Sequence, residues 1–270
     1  MTEENRVRVM GILNVTPDSF SDGGQFSTYD TAVAQAEKLI ADGADILDIG
    51  GESTRPFADP VSTEEELARV IPVIEAVRSN YSTPISIDTS KARVAREALK
   101  AGANIINDVW ALRKDPEMIE VALESRVPVI IMHMKGTPSD MQIKPSYDDV
   151  VVEILDFFRE RLDWITGRGV DTDRLIIDPG IGFGKNLQHN LSIIKHIDQF
   201  SLLGQPVLLG HSRKRFLGEI TGMAEEIQRD LASAVVTGLC ASKNIDIIRV
   251  HDVSATRQAL KIAGAIGSAQ

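Results

Sequence analysis

The sequence predicts a single-domain α/β chain folded as a (β/α)8, or TIM, barrel, and three observations carry that expectation. Short apolar runs rich in β-branched residues alternate with longer segments of helical period, eight times over. The length of 270 residues matches the roughly 250 that such a barrel takes. A polar residue stands at the end of nearly every apolar run, where this architecture gathers its working groups.

The first strand is expected at 7–14 and a helix at 31–42. Ala-Asp-Gly-Ala at 41–44 puts Gly43 where a helix end turns left-handed, just ahead of a strand at 46–49. The next helix, 63–79, carries Leu67, Val70, Ile71, Ile74 and Val77 at spacings of three and four. Thr63 is expected to cap it, with Glu64, Glu65 and Glu66 at the positive end of its dipole. A strand at 85–88 and a helix at 92–101 follow, and Gly102 repeats the left-handed stop. Strands at 105–108, 129–133, 175–178, 207–209 and 247–249 then alternate with helices at 117–124, 148–167, 191–197, 230–242 and 255–265. No Pro/Ser/Gly-rich linker interrupts the series, so 1–270 reads as one domain. Segments 16–29 and 53–62 are longer than a barrel needs and follow the first two strands, at the end where barrels build sites. No G-x-G-x-x-G run follows the first strand, which argues against an open dinucleotide-binding sheet.

Composition narrows the partners. At 43% hydrophobic and 25% charged residues the chain has ample material for a core, and a formal net charge of -10 argues against nucleic-acid or membrane-surface binding. Small-molecule ligands are the expectation. The one cysteine, Cys240, sits in an apolar helical stretch and reads as a buried core residue; no intrachain disulfide can form, which suits a reducing compartment. The N-terminal Met-Thr-Glu-Glu-Asn-Arg has no apolar signal region, and no run approaches the ~18–20 apolar residues of a membrane span, so a cytoplasmic location is expected.

The strand ends, in order, carry Asn14, Asp48, Asp88, Asn107-Asp108, His133, Asp178, His211-Ser212 and Arg249 with His251. Any one of these suits a helix cap or a turn, as Asp88 and Thr89 do ahead of the third helix; together they point to one rim. Asp88, Asn107 and Asp178 supply oxygens that suit a ligand edge rich in N–H donors, such as an aminopyrimidinone. Asp178 opens Asp-Pro-Gly-Ile-Gly-Phe-Gly-Lys, whose alternating glycines would let a ligand approach the backbone. Positive groups gather at Arg55, at Arg213-Lys214-Arg215, and at Arg249 and His251, which alternate on one face of the last strand end and suit a phosphate-bearing ligand. Arg213 and Arg215 equally suit solvated surface charge. His133, between two methionines, reads as supporting rather than catalytic; His189 and His196 read as surface, Trp110 and Trp164 as packing, with Trp110 placed to border a pocket. No zinc or EF-hand spacing occurs, whereas Mg2+ escorting a diphosphate needs only one or two protein oxygens.

Several strings resemble the signatures of the dihydropteroate synthases. Met-Gly-Ile-Leu-Asn-Val-Thr-Pro-Asp-Ser-Phe-Ser-Asp-Gly-Gly (10–24) is similar to the first and Asp-Ile-Gly-Gly-Glu-Ser-Thr-Arg-Pro (48–56) to the second. Ser-Ile-Asp-Thr, Ile-Asn-Asp-Val, Met-His-Met-Lys-Gly-Thr-Pro, Asp-Pro-Gly-Ile-Gly-Phe-Gly-Lys-Asn, Ser-Arg-Lys and Arg-Val-His-Asp continue in the family's order, covering about 8–262. The resemblance implies an enzyme of folate synthesis that joins 6-hydroxymethyl-7,8-dihydropterin diphosphate to p-aminobenzoate. By position it implies Asp88, Asn107, Asp178 and Lys214 on the pterin, with Met132, Phe183 and Gly210 as its walls. It implies Asn14, Arg55, Arg249 and His251 on the diphosphate, Asn14 also beside Mg2+, and Phe20, Thr54, Arg55, Pro56 and Ser212 at p-aminobenzoate. Arg249, His251, Lys214 and Asp88 are the implied catalytic groups, acting in an SN1-like C–O cleavage under loops 16–26 and 53–57. A homodimer and inhibition by sulfonamides are implied too. Two positions depart from the pattern: Arg215 stands where many relatives have Ser, and Trp110 where a small residue is common. The rival readings are a pterin-binding barrel that transfers a methyl group from methyltetrahydrofolate, and a non-catalytic pterin-binding barrel.

Overall fold

Strand, helix and strand repeat along the chain because each short β-branched run buries both of its faces, one inside a barrel and one under helices. The computed structural model describes residues 7–16, 25–53, 60–137 and 140–269. Its elements run β1 (Arg8–Asn14), α1 (Gln25–Ala41), β2 (Ile46–Gly50), α2 (Thr63–Asn80), β3 (Ile85–Asp88), α3 (Ala92–Ala101), β4 (Ile105–Asp108), α4 (Met118–Ser125), β5 (Val129–Met132) and α5 (Val150–Thr166). The second half runs β6 (Leu175–Asp178), α6 (Leu187–Lys195), β7 (Leu208–Leu209), α7 (Arg215–Thr221), α8 (Asp230–Cys240), β8 (Ile247–Val250) and α9 (Val253–Gly267). All strand pairings are parallel, in the order β6-β5-β4-β3-β2-β1-β8-β7, and the bridge Ile177↔Val207 joins the two ends. This is a single-domain (β/α)8 barrel.

The period of two along each strand divides the side chains. One set faces the helices: Val9, Leu13, Leu47, Ile49, Ile87, Ile131, Ile177, Leu209 and Ile248 belong to the large outer core. Gly11 is part of that face, where a Cβ would meet Val253 at 3.2 Å, so α9 packs directly on β1. The other set fills the barrel: Met10, Ile46, Ile105, Ile130, Ile176, Leu208 and Ile247 form a separate buried plug. Two positions further along the same strands stand Ile12, Asp48, Asn107, Met132, Asp178, Gly210 and Arg249. The polar strand ends are therefore the next inward layer above an apolar floor.

Boundaries differ from expectation where caps decide them. Ser62, not Thr63, caps α2: its backbone is extended and its Oγ accepts the Glu65 N–H at 3.2 Å, while Thr63 is already helical. Gly43 and Gly102 do adopt positive φ, at 97° and 118°. α1 begins at Gln25 rather than 31, and α6 at Leu187 rather than 191, behind a reciprocal Asn186/His189 cap. α7 was not anticipated at all.

Candidate active site

Asp48 is the hub of the mouth. Fully buried on β2, its Oδ2 accepts from Arg249 Nε at 2.6 Å, and its carboxylate accepts from Asn107 Nδ2 at 3.2 and 3.3 Å. Arg249 Nη2 also donates to Asp88 Oδ2 at 2.7 Å. One guanidinium thus bridges carboxylates from β2 and β3, with the β4 amide on the far side. Burial works against the Arg249 charge, but Asp48 and Asp88 more than offset it, so the group stays ionised. Burial, with the nearby carboxylates of Asp48, Glu66 and Asp108, pushes Asp88 above the usual carboxylate range against the pull of Arg249. The sequence marks Asp48 only as one more strand end. Its signal is its register, two residues past the buried Ile46.

Across the mouth, Asp178 Oδ1 accepts the Gly180 N–H at 2.8 Å, and burial raises this carboxyl too. Gly210 leaves it room: a Cβ there would lie 3.4 Å from Asp178 Oδ2. Lys214 Nζ sits 4.1 Å from the centre of the Phe183 ring, and burial together with the Arg249 charge brings its ammonium down to about 8. Phe183 clusters with Val109, Met132, Met134 and Met141, and Trp110 packs on their edge, giving one apolar wall beside the acidic groups. Ser212 Oγ lies 3.0 Å from His251 Nδ1 and accepts the His251 backbone N–H at 3.1 Å, tying the ends of β7 and β8 together.

Other expected residues fall elsewhere. Arg213 turns away and makes a two-point pair with Asp230 at 2.6 and 2.7 Å, and Arg215 is exposed and pairs with Glu219, so of the three consecutive cations only Lys214 joins the mouth. His211 lies under it, bonded to Ser233 O at 2.8 Å and brought by burial to about 4. The alternating glycines do not hold open a space for ligand: a Cβ at Gly180 or Gly184 would meet the carbonyl oxygens of His133 and Lys135 at 2.0 and 2.2 Å, and one at Gly182 would meet Lys214 Cδ at 3.0 Å. Their freedom serves close approach of two loops and of a lysine stem. Cys240 is buried, as expected of a core residue. Phe20, Thr54, Arg55 and Pro56 lie outside the described residues.

A second buried cluster went unread in the sequence. Lys91 Nζ donates to Glu52 Oε2 at 2.7 Å and to Glu66 Oε2 at 2.5 Å, and Glu52 Oε1 accepts the Val61 N–H at 3.2 Å. One carboxylate thereby closes the chain between Glu52 and Val61. For a metal, no group of three His, Cys, Asp or Glu side chains forms a cage among the described residues. Asn14, half-buried at the end of β1, offers an amide oxygen, which suits an ion held mainly by phosphate and water oxygens.

The mouth thus gathers buried carboxylates and an amide, an apolar wall, and the cations Arg249 and Lys214. Residues 10–251 match the family model described as pterin binding enzyme. The dihydropteroate synthase of Haemophilus influenzae is 47% identical over 262 residues, covering 97% of this chain and 94% of its own length. The structure of Xanthomonas albilineans dihydropteroate synthase with 4-aminobenzoic acid superposes with a TM-score of 0.93 at 48% identity, covering 98% of this chain and 95% of that one. That of the Yersinia pestis enzyme with a sulfonamide drug superposes with a TM-score of 0.92 at 44% identity, over the same shares of the two chains.

Proposed function

The chain belongs to the dihydropteroate synthases, a pterin-binding enzyme family, and on that premise we propose how its mouth divides the work. It is a transferase of folate biosynthesis, condensing 6-hydroxymethyl-7,8-dihydropterin diphosphate with p-aminobenzoate to dihydropteroate and diphosphate. Asp88, Asn107 and Asp178 accept from the aminopyrimidinone edge, Lys214 donates to the ring, and Met132, Phe183 and Gly210 form its walls. Arg249 and His251, with Asn14 and Arg55, take the diphosphate. Phe20, Thr54, Arg55, Pro56 and Ser212 receive p-aminobenzoate, and sulfonamides inhibit by taking that place, a reading supported by the Yersinia pestis complex.

The reaction breaks the C–O bond at the pterin methylene, and the electron pair leaves with diphosphate. The electron-rich ring spreads the resulting positive charge in an SN1-like step. The acidic groups Asp88 and Asp178 favour that charge, while Arg249 stabilises the departing anion. The p-aminobenzoate amine then attacks the methylene and its proton leaves to solvent, so no strong general base is required. Asn14 would help to hold Mg2+, which would supply further neutralisation of the leaving group.

The observation that carries this reading is the Asp48–Arg249–Asp88 bridge beside Asn107, which sets an anion-binding cation next to a donor-reading edge. Methyl transfer from methyltetrahydrofolate needs no such cation. Diphosphate release tests the reading: it should require both substrates, and dihydropteroate should form in equal amount. No release with both present would overturn it in favour of a methyltransferase or a pterin-binding barrel without turnover.

The working unit is a homodimer in the cytoplasm, with 1–270 as one domain. No helix among the described residues is long and apolar enough to cross a membrane. Leu231, Val235 and Leu239 repeat at intervals of four along α8 and stand exposed, as do Ile262 and Ile266 on α9. Exposed apolar residues of this kind on two packed helices support pairing with a second copy.

A further inference from the structure

We propose that Lys185 is a positioning residue for the pterin pocket, fixing Phe183, and through it Lys214, without touching the substrate itself. The inference rests on the reading of this mouth as a pterin site. Residues 179–186, between β6 and α6, form no regular structure, and Gly180, Gly182 and Gly184 all have positive φ, so the segment has unusual conformational freedom to lose. Phe183 sits in its middle and must still present one fixed ring to the pocket.

Lys185 supplies the constraint. It is only 2% exposed, burial brings its Nζ down to about 7, and that nitrogen lies 2.9 Å from Phe183 O, 3.0 Å from His133 Nδ1 and 3.3 Å from His133 O. Burial, with the nearby charges of Lys185, Arg113 and Lys135, keeps His133 neutral, bringing the imidazole to about 2. His133 is itself fixed edge-on against Phe157, with ring centres 4.9 Å apart. One side chain therefore pins the Phe183 carbonyl to the end of β5, the strand that also supplies Met132. The Phe183 ring packs on Met132 and lies 4.1 Å beneath Lys214 Nζ. Gln142, which donates to Gly182 O at 2.6 Å, and Tyr147, which donates to Gly184 O at 2.9 Å, hold the neighbouring carbonyls of the segment. Of these side chains it is Lys185 that ties the Phe183 carbonyl itself to the end of β5.

The test is Lys185→Met, which keeps the stem and removes the donors. The dissociation constant of 6-hydroxymethyl-7,8-dihydropterin diphosphate should rise tenfold or more, while the KM for p-aminobenzoate at saturating pterin stays within twofold. In a Phe183→Ala background the same substitution should change pterin affinity less than twofold. Unchanged pterin affinity, equal weakening of both substrates, or a full effect persisting without Phe183 would overturn the proposal. If Lys185→Met does not fold, Lys185→Gln keeps part of the donor set; it should bind pterin severalfold more weakly, and wild-type affinity would overturn the proposal. Failure of the wild-type chain to bind the pterin diphosphate would instead overturn the assignment of the pterin site.

Discussion

Lys214 is a lysine brought within reach of ordinary pH. Its ammonium, ordinarily at 10.5, is lowered by burial and by Arg249 to about 8. Below that value it carries the proton it donates to the pterin; above it the donor charge is lost. Pterin affinity should therefore fall as pH rises through about 8, and Lys214→Met should bind weakly and remove that step from the profile, measured by calorimetric titration at several pH values. The carboxyl groups of the same mouth run the other way. Asp88 and Asp178 are raised by burial, so acid protonates them sooner than exposed carboxylates and weakens the acceptor edge from below. Binding should peak between the two limbs.

At the scale of elements, the glycines of 179–186 separate two costs. Gly222, at the end of α7, has φ +75° and nothing within 4 Å of an added Cβ, so Gly222→Ala meets backbone strain alone, about 1–2 kcal/mol. Gly180 has a similar φ, +71°, but its Cβ would fall 2.0 Å from the His133 carbonyl oxygen. Gly180→Ala should cost clearly more in urea denaturation and should also weaken pterin binding; equal costs would mean that the two loops do not need this approach. The sequence displays these glycines but not their neighbours, and for that reason they read as room for a ligand. Strands and most helices were legible because β-branched runs and three-four spacing are local patterns. α7 was not, since seven residues, Arg215–Thr221, give too few turns to show a period. The inward acceptors Asp88, Asn107 and Asp178 could be read from strand ends. The hub role of Asp48 could not, because it depends on Arg249, 201 positions away. Arg213 shows the converse: a cation beside the right motif that a later helix captures through Asp230.

At the scale of the whole molecule, closing the barrel accomplishes two things. It leaves the apolar residues of α8 and α9 on the outside, where Leu239 is 69% exposed, and Leu239→Asp should convert the proposed dimer to monomer in sedimentation velocity at micromolar concentration without unfolding the barrel. It also brings the first and last strands side by side, with Met10 in register with both Ile46 and Arg249, so that residues from the two ends of the chain share one mouth. The account depends on that convergence placing Arg249 where the leaving diphosphate develops its charge. Arg249→Ala tests this most directly, with turnover measured alongside the affinity for 6-hydroxymethylpterin, which has no diphosphate. The prediction is a fall in kcat of about 10²–10³-fold with affinity for the pterin alcohol changed less than about threefold. Equal loss of both would show that Arg249 serves only to hold the pocket together.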